Sequence, residues 1–279
     1  MRNEANKAES QTSVDNSKTN HLSTLRESSE VSLLHRFLKQ TTFTSVEDYN
    51  KNLEFIIPDN FNFAYDVMDE WAKENPDGLA LLWTNDRGAE IRTTFQQLKE
   101  QTDQAASYLQ QLGIGKGDPV MLILKRRYEW WVVMLALHKL AAVVIPATHM
   151  LTKKDIVYRN TRASIKAIIC ADDPYVVSQI EAALPDSPTV KRVVVVGEAG
   201  TPASLASSSS LTSSTSSTSL TSSTSSTSSS SSSSSWHCWH EELCQAPPFH
   251  RPAERNTNDD TMLMYFTSGT SGEPKMVAH

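Results

Sequence analysis

The stretch Asp118–Ala147, "DPVMLILKRRYEWWVVMLALHKLAAVVIPA", decides the fold. "VMLILK" is a short continuous apolar run, the pattern of a strand covered on both faces in a parallel sheet. "YEWWVVMLALHKLA" carries few polar residues and predicts a largely buried helix. "AVVIPA" is a second apolar strand. The rhythm then continues. "TKKDIVYRNTR" reads as a helix capped by Thr152, "IKAIIC" as a strand, "DPYVVSQIEAAL" as a helix and "VKRVVVV" as a strand. This alternation predicts an α/β fold, a parallel sheet flanked by helices with right-handed crossovers.

Upstream, order is expected to begin near Val31, where "VSLLHRFLKQ" has helical apolar spacing. Thr44 and Glu47 read as a capping box for a short helix. Asn60 or Asn62 can cap the next helix, with Phe63, Val67 and Trp71 as its buried stripe and "NPDG" at Asn75–Gly78 as its end. "LALLWT", "NDRG" and "AEIRTT" predict a hairpin. Thr94 and Gln97 form a second capping box, opening a helix that runs to Gly113. "GIGKG" at Gly113–Gly117 leaves a helix and enters a strand. A dinucleotide fingerprint needs the reverse order, so these residues form a turn, with Gly113 as a helix C-cap.

The chain has 279 residues and a net charge of −6, which argues against a nucleic-acid footprint. It does not exclude ATP, because a phosphate site needs only local donors. Three cysteines, Cys170, Cys238 and Cys244, give no disulfide framework and fit a reducing compartment. No apolar run approaches the ~20 residues of a membrane helix. Met1–Glu30 lacks the apolar core of a secretory signal, and its five acidic residues speak against a mitochondrial transit peptide. A disordered tail and a cytoplasmic location are expected. From Ser207 to Ser235 every residue is Ser or Thr except Leu211 and Leu220, with "LTSSTSSTS" twice in tandem. Such a segment cannot bury enough apolar surface to offset its ordering entropy. "HCWHEELC" at His237–Cys244 has metal-ligand residue types without zinc spacing. "KRRYEWW" at Lys125–Trp131 reads as a strand-to-helix turn with a solvated basic face.

"TMLMYF" predicts one more strand, and "TSGTSGEPK" at Thr267–Lys275 follows it. A loop at a strand's carboxyl end is where ligands bind in open α/β sheets. Gly269 and Gly272 let the backbone approach a polyanion and adopt positive φ. Successive amides can form a nest, and the hydroxyls of Thr267, Ser268, Thr270 and Ser271 add donors. Lys275 supplies a point charge and Pro274 stiffens the exit beside Glu273. The Gly-Lys-Ser/Thr of a Walker A loop is absent.

"YFTSGTSGEPKMVAH" resembles the phosphate-binding signature of the AMP-forming adenylate-forming enzymes, in the form of their short- and medium-chain acyl-CoA synthetase branch. "FTSVEDYNKNLEF", "NFNFAYDVMDEWAKENP", "LGIGKGDPVMLILKRRYEWW" and "IPATHMLTKKDIVYR" are similar to that branch's N-terminal subdomain. The resemblance implies the following division. Residues 1–30 are a tail and 31–203 the N-terminal α/β part of the AMP-binding domain. Residues 204–235 are an insertion, and 236–279 return to the domain and end in the phosphate loop. It implies activation of a carboxylic acid with ATP and Mg2+ to an acyl-adenylate, followed by attack of CoA. Thr267, Ser268, Gly269, Thr270, Ser271, Gly272, Glu273, Pro274 and Lys275 would wrap the β- and γ-phosphates. The family's adenine and ribose motifs, hinge and C-terminal lysine domain lie beyond this loop, so the chain is expected to be an N-terminal fragment with an incomplete fold. Two other readings stand beside the ligase: a non-catalytic relic or interaction module that keeps the fold, and a phosphate-binding ATPase of another class.

Overall fold

A computed structural model describes residues 33–197, 234–268 and 272–279. The tail at 1–30 and nearly all of the insertion at 204–235 lie outside the described residues. The chain forms two compact units, Met1–Ile57 and Pro58–His279. In the first, residues 33–37 are helical, Leu38 bridges Phe55 antiparallel, and α1 (Val46–Asn52) lies between. Its N-cap is Ser45, one residue later than expected. The Ser45 hydroxyl accepts from the Asp48 amide at 3.1 Å. Asp48 then accepts from the Thr44 amide and hydroxyl at 2.8 and 3.0 Å, so Asp48 rather than Glu47 is the acid that reaches back.

The second unit opens with a π-helical turn, Ala64–Met68, which runs into α2 (Asp69–Glu74). The Asn62 side-chain oxygen accepts from the Ala64 amide at 3.1 Å, as a cap should. The buried stripe is not Phe63, Val67 and Trp71. Phe63 is exposed, while Ala64, Asp69 and Ala72 are buried. The π turn inserts an extra residue and rotates every position after it, which moves the buried face off the four-residue spacing. β1 (Leu79–Thr84) and β2 (Glu90–Thr94) form the expected hairpin. α3 (Phe95–Gln111) starts at the Thr94–Gln97 capping box, with bonds of 3.3 and 3.0 Å. It stops at Gly113, φ +82°, where Ile114 donates to the Leu109 carbonyl and Gly113 to that of Gln110. That is a Schellman closure, and positive φ is why glycine stands there.

The main sheet comprises β3 (Pro119–Ile123), β4 (Val143–Pro146), β5 (Ala167–Ala171), β6 (Arg192–Val196) and β7 (Ser235–Cys238). The order is β4-β3-β5-β6-β7, and every pair is parallel. Ser235, read as the last residue of the insertion, instead opens β7. α4 (Glu129–Lys139), α5 (Lys153–Arg162) and α6 (Pro174–Ala183) connect the strands, and α7 (Trp239–Leu243) follows β7. Val120, Leu122, Val144, Ile169 and Val194 pack with α3, α4 and Trp239. Met121, Ile123, Ile145, Ile168 and Cys170 pack with Ile156, Val176 and Ile180 on α5 and α6. Both faces of the sheet are therefore dry, as the continuous apolar strands require. Within this core the Cys170 thiol is pushed up to about 12 by burial, which leaves it unreactive. The path steps from β3 out to β4 and returns past β3 to β5. That reversal sets the carboxyl ends of these strands as the place for a ligand crevice.

One charge is buried inside this packing. The Lys139 side chain is 1% exposed, with its Nζ 2.9 Å from Asp69 and 2.5 Å from Asp103. It joins α2, α3 and α4. Burial pushes the Asp69 carboxyl up, opposed by Lys139. Removing one partner of a buried pair leaves uncompensated charge. Lys139→Met should therefore lower unfolding stability by about 3–5 kcal/mol, measured by urea denaturation. A loss within 1 kcal/mol or so would show the pair to be no more than a surface contact.

Beside it, His138 is buried, and neither ring nitrogen has a partner among the described residues. Burial pushes it down from 6.5 to about 4. The unfolded chain takes up a proton below about 6.5, while the folded protein holds the ring neutral. Its folded value is depressed, so stability is complete above pH ~6.5 and falls as pH drops toward 4, by roughly 3 kcal/mol in all. His138→Leu should flatten the pH dependence of the urea midpoint across that window. An unchanged slope in the variant would rule His138 out as its source.

Candidate functional site

β8 (Met264–Thr267) and β9 (Lys275–Ala278) form an antiparallel hairpin in the register Met264–Ala278, Tyr265–Val277, Phe266–Met276 and Thr267–Lys275. The strand expected over "TMLMYF" starts at Met264, and β9 was not foreseen. The hairpin is tied to the main sheet at its base. The Val144 amide donates to the Met262 carbonyl at 3.0 Å, and Val144 bridges Leu263 in parallel. β8 therefore runs the same way as β4, and the turn after Thr267 emerges toward the carboxyl ends of the strands.

Alternation along the hairpin sorts its side chains. Met264, Phe266 and Met276 pack on the second apolar cluster. Tyr265, Thr267, Lys275 and Val277 face outward. Thr267 and Lys275 thus flank the turn as cross-strand partners, and the Thr267 hydroxyl donates to the Lys275 carbonyl at 3.4 Å. Lys275 makes no ion pair among the described residues, and Ser268 is exposed. Gly272 has φ +101°, and a Cβ there would meet nothing within 4 Å. Glycine is required by conformation, not by crowding. Gly269, Thr270 and Ser271 lie outside the described residues.

The exit of the turn is held by α5. The Tyr158 hydroxyl donates to the Pro274 carbonyl at 2.8 Å, and its ring meets Phe266 edge-on at 6.2 Å. The Arg159 guanidinium lies 5.2 Å from the Phe266 ring centroid and donates to the Asp155 carbonyl at 3.0 Å. Burial pushes Arg159 down, with Asp155 opposing. α5 itself is fixed by a capping box in which the Thr152 hydroxyl and amide donate to Asp155 at 2.7 and 3.0 Å. Those bonds hold the Asp155 carboxyl below the usual range. Nothing in "DIVYR" marked Tyr158 or Arg159 as supports; helical spacing alone does not reveal that a distant hairpin lands on that face.

Glu273 sits 3.6 Å from Lys154, both exposed, a contact worth little. No group of three or more His, Cys, Asp or Glu that could hold a metal occurs among the described residues. In "HCWHEELC", His237 bridges Ser235 and Glu242 at 2.8 and 2.9 Å, which ties β7 to α7.

Thr267, Ser268, Gly272 and Lys275 gather at the carboxyl edge of a parallel sheet, where open α/β sheets meet their ligands. The AMP-binding enzyme family matches residues 68–279, and the chain belongs to that family. It is 32% identical over 229 residues to acyl-coenzyme A synthetase ACSM5, mitochondrial, of Rattus norvegicus, covering 80% of this chain and 34% of the relative. It is 30% identical over 258 residues to acyl-coenzyme A synthetase ACSM3, mitochondrial, of Pongo abelii, covering 89% and 38%. The chain thus spans about a third of the length of the curated relatives it matches. The crystal structure of the anthranilate CoA ligase AuaEII in complex with anthranoyl-AMP shares the fold, with TM-score 0.60 at 19% identity over 80% of this chain and 35% of that one. No helix among the described residues is long and apolar enough to cross a membrane. The relatives' names place them in mitochondria, which gives no support to a cytoplasmic location.

The Tyr158 hydroxyl is a test of how the turn is held. Tyr158→Phe keeps the ring on Phe266 and removes one neutral hydrogen bond, worth about 0.5–1.5 kcal/mol. Nucleotide affinity should weaken by roughly two- to tenfold, and the unfolding midpoint should fall by no more than that one bond's worth, read by calorimetric titration and urea denaturation. Unaltered affinity would show that Pro274 needs no anchor.

Proposed function

We propose that this chain is the part of an AMP-forming carboxylic acid–CoA ligase that grips the phosphates of ATP. The observation that carries the reading is the β8–β9 turn, with Thr267 and Lys275 opposed at its mouth and Gly272 in a left-handed conformation. Thr267, Ser268, Gly269, Thr270, Ser271, Gly272 and Lys275 line the β- and γ-phosphates. Glu273 and Pro274 shape the exit. The substrates are a small carboxylic acid, ATP carried with Mg2+, and CoA; the chain acts in the cytoplasm.

The chemistry asked of these residues is positional and electrostatic. The substrate carboxylate attacks the α-phosphorus, the bond to the bridging oxygen breaks, and pyrophosphate leaves with the extra negative charge. Amides of the turn and the Lys275 ammonium meet that charge where it develops. In the second step the CoA thiol attacks the acyl carbon and AMP departs. Pyrophosphate is already gone, so Lys275 matters to the first step alone.

The relatives extend about three times as far as the matched region, and this chain by itself should bind ATP without making acyl-CoA. Lys275→Ala should weaken ATP binding by about ten- to hundredfold, the value of a charge-assisted contact, in a calorimetric titration of the chain. In a protein that joins this chain to the rest of the ligase, the same change should slow pyrophosphate release with acetate, butyrate or hexanoate. It should spare thioester formation from preformed acyl-adenylate. Equal damage to both half-reactions would remove Lys275 from the phosphate site. Pyrophosphate release by the chain alone would show that its catalytic parts are all present.

A further inference from the structure

The stretch His237–Cys244, which lacks zinc spacing, takes part in a different constellation. On β7, Ser235 and His237 are alternate residues and share one face of the strand. α7 follows directly and brings Glu242 to the ring. The Ser235 Oγ lies 2.8 Å from His237 Nε2. His237 Nδ1 lies 2.9 Å from Glu242 Oε2 and 3.2 Å from Oε1. Hydroxyl, imidazole and carboxylate thus form a chain, each within hydrogen-bond reach of the next.

Glu242 decides where the ring proton sits. Besides the ring, its carboxylate accepts from the Cys238 amide and from the Tyr108 hydroxyl, each at 3.2 Å. An ionised carboxylate only accepts, so Nδ1 carries the hydrogen that faces it. In the neutral ring Nε2 is then a bare acceptor, and the Ser235 hydroxyl donates to it. The competing acceptor for that hydroxyl, the Lys191 carbonyl, is farther away at 3.4 Å. The His237 side chain is 18% exposed, so little water competes for its nitrogens, while Ser235 is partly exposed and can be reached. Arg192 on β6 stands in register with Ser235, which puts both side chains on the same face of the sheet.

We propose that Ser235, His237 and Glu242 form a nucleophilic serine site that takes the acyl group of a small activated ester. It lies at the amino end of β7, across the sheet from the carboxyl edge where the β8–β9 turn emerges. A base on the hydroxyl and a carboxylate on the base is the arrangement that activates serine on unrelated folds. Ser235 Oγ attacks the ester carbonyl carbon as its proton passes to His237 Nε2. The bond from Oγ to that carbon forms, the bond to the leaving oxygen breaks, and the leaving group departs with the electron pair. Arg192 offers a cation to the carbonyl oxygen while it is negative. Water then attacks the acyl-serine, giving its proton to His237; that proton returns to Ser235 Oγ as the carboxylic acid leaves. Ser235 and His237 act on the reacting atoms. Glu242 is a positioning residue that fixes the ring and its tautomer.

The probe is 4-nitrophenyl acetate with the full chain, read by release of 4-nitrophenolate and by peptide mass spectrometry that maps the acetyl group. Ser235 should be acetylated, and Ser235→Ala, which removes one oxygen, should abolish that label. His237→Ala should slow it by at least about a hundredfold, the worth of a general base. Added imidazole should restore part of the rate in His237→Ala, which a merely structural role would not allow. Glu242→Gln sets an amide donor against Nδ1 and should move the ring proton to Nε2, seen in nitrogen-15 NMR, with acetylation slowed by a similar factor. Cys244→Ser, which removes the exposed thiol, should leave the rate unchanged. The proposal is overturned if acetyl groups map to lysines or cysteines and not to Ser235. It is equally overturned if Ser235 is labelled as fast in His237→Ala as in the parent, or if Glu242→Gln changes neither the tautomer nor the rate.

Discussion

The placement of every candidate ligand residue rests on one constraint: the strands β3 to β6 pair in parallel and are dry on both faces. Parallel neighbours cannot be joined by a tight turn, so each connection must cross the sheet, and a helix does it. Helices α3 and α4 cover one face and α5 and α6 the other. All carboxyl ends then fall on one edge. The residues that follow β3, β4 and β5 (Lys125 to Arg127, Ala147 to His149, Asp172 and Asp173) are brought together there without being near in sequence. The hairpin joins the same edge because Val144 gives its amide to Met262.

The parts of the fold legible in the sequence are those where one local rule acts alone. β3 to β6 read as continuous apolar runs because burial on both faces admits nothing else. The caps at Thr94 and Thr152 read correctly because side chain and amide lie within one turn. Illegibility begins where two rules compete. Thr44 and Ser45 each stand three residues before an acid, and only the backbone path decides that Ser45 caps with Asp48. Phe63, Val67 and Trp71 look like a stripe until a π turn shifts the phase. Lys139 reads as a surface cation at a helix end. Its burial follows from α2 and α3 arriving with Asp69 and Asp103, a contact across 70 residues in one case and 36 in the other.

The candidate site divides the same way. The pattern that makes it a candidate, glycines and hydroxyls beside a lysine, is local and therefore visible in the sequence. Its support is not. β9 is four residues long, too short to announce itself, and the hold of Tyr158 on Pro274 spans 116 residues. The likeness to a CoA ligase at 19% identity but TM-score 0.60 has the same cause. Alternating faces and dry strands can be built from many apolar side chains, so the architecture outlasts the residues.

An anion approaching this chain meets a net charge of −6, yet the carboxyl edge of its sheet carries cations with no ion pair among the described residues. The two facts are compatible because exposed charges farther apart than a Debye length, about 8 Å at physiological ionic strength, are largely screened. What matters is the local balance. At the carboxyl edge, Lys125 and Arg127 neutralise Asp173 and Asp172, Lys154 stands beside Glu273, and Arg126 and Lys275 are left over. Lys275 stands opposite Thr267 at the mouth of its turn, so its charge lies where the strand ends meet solvent.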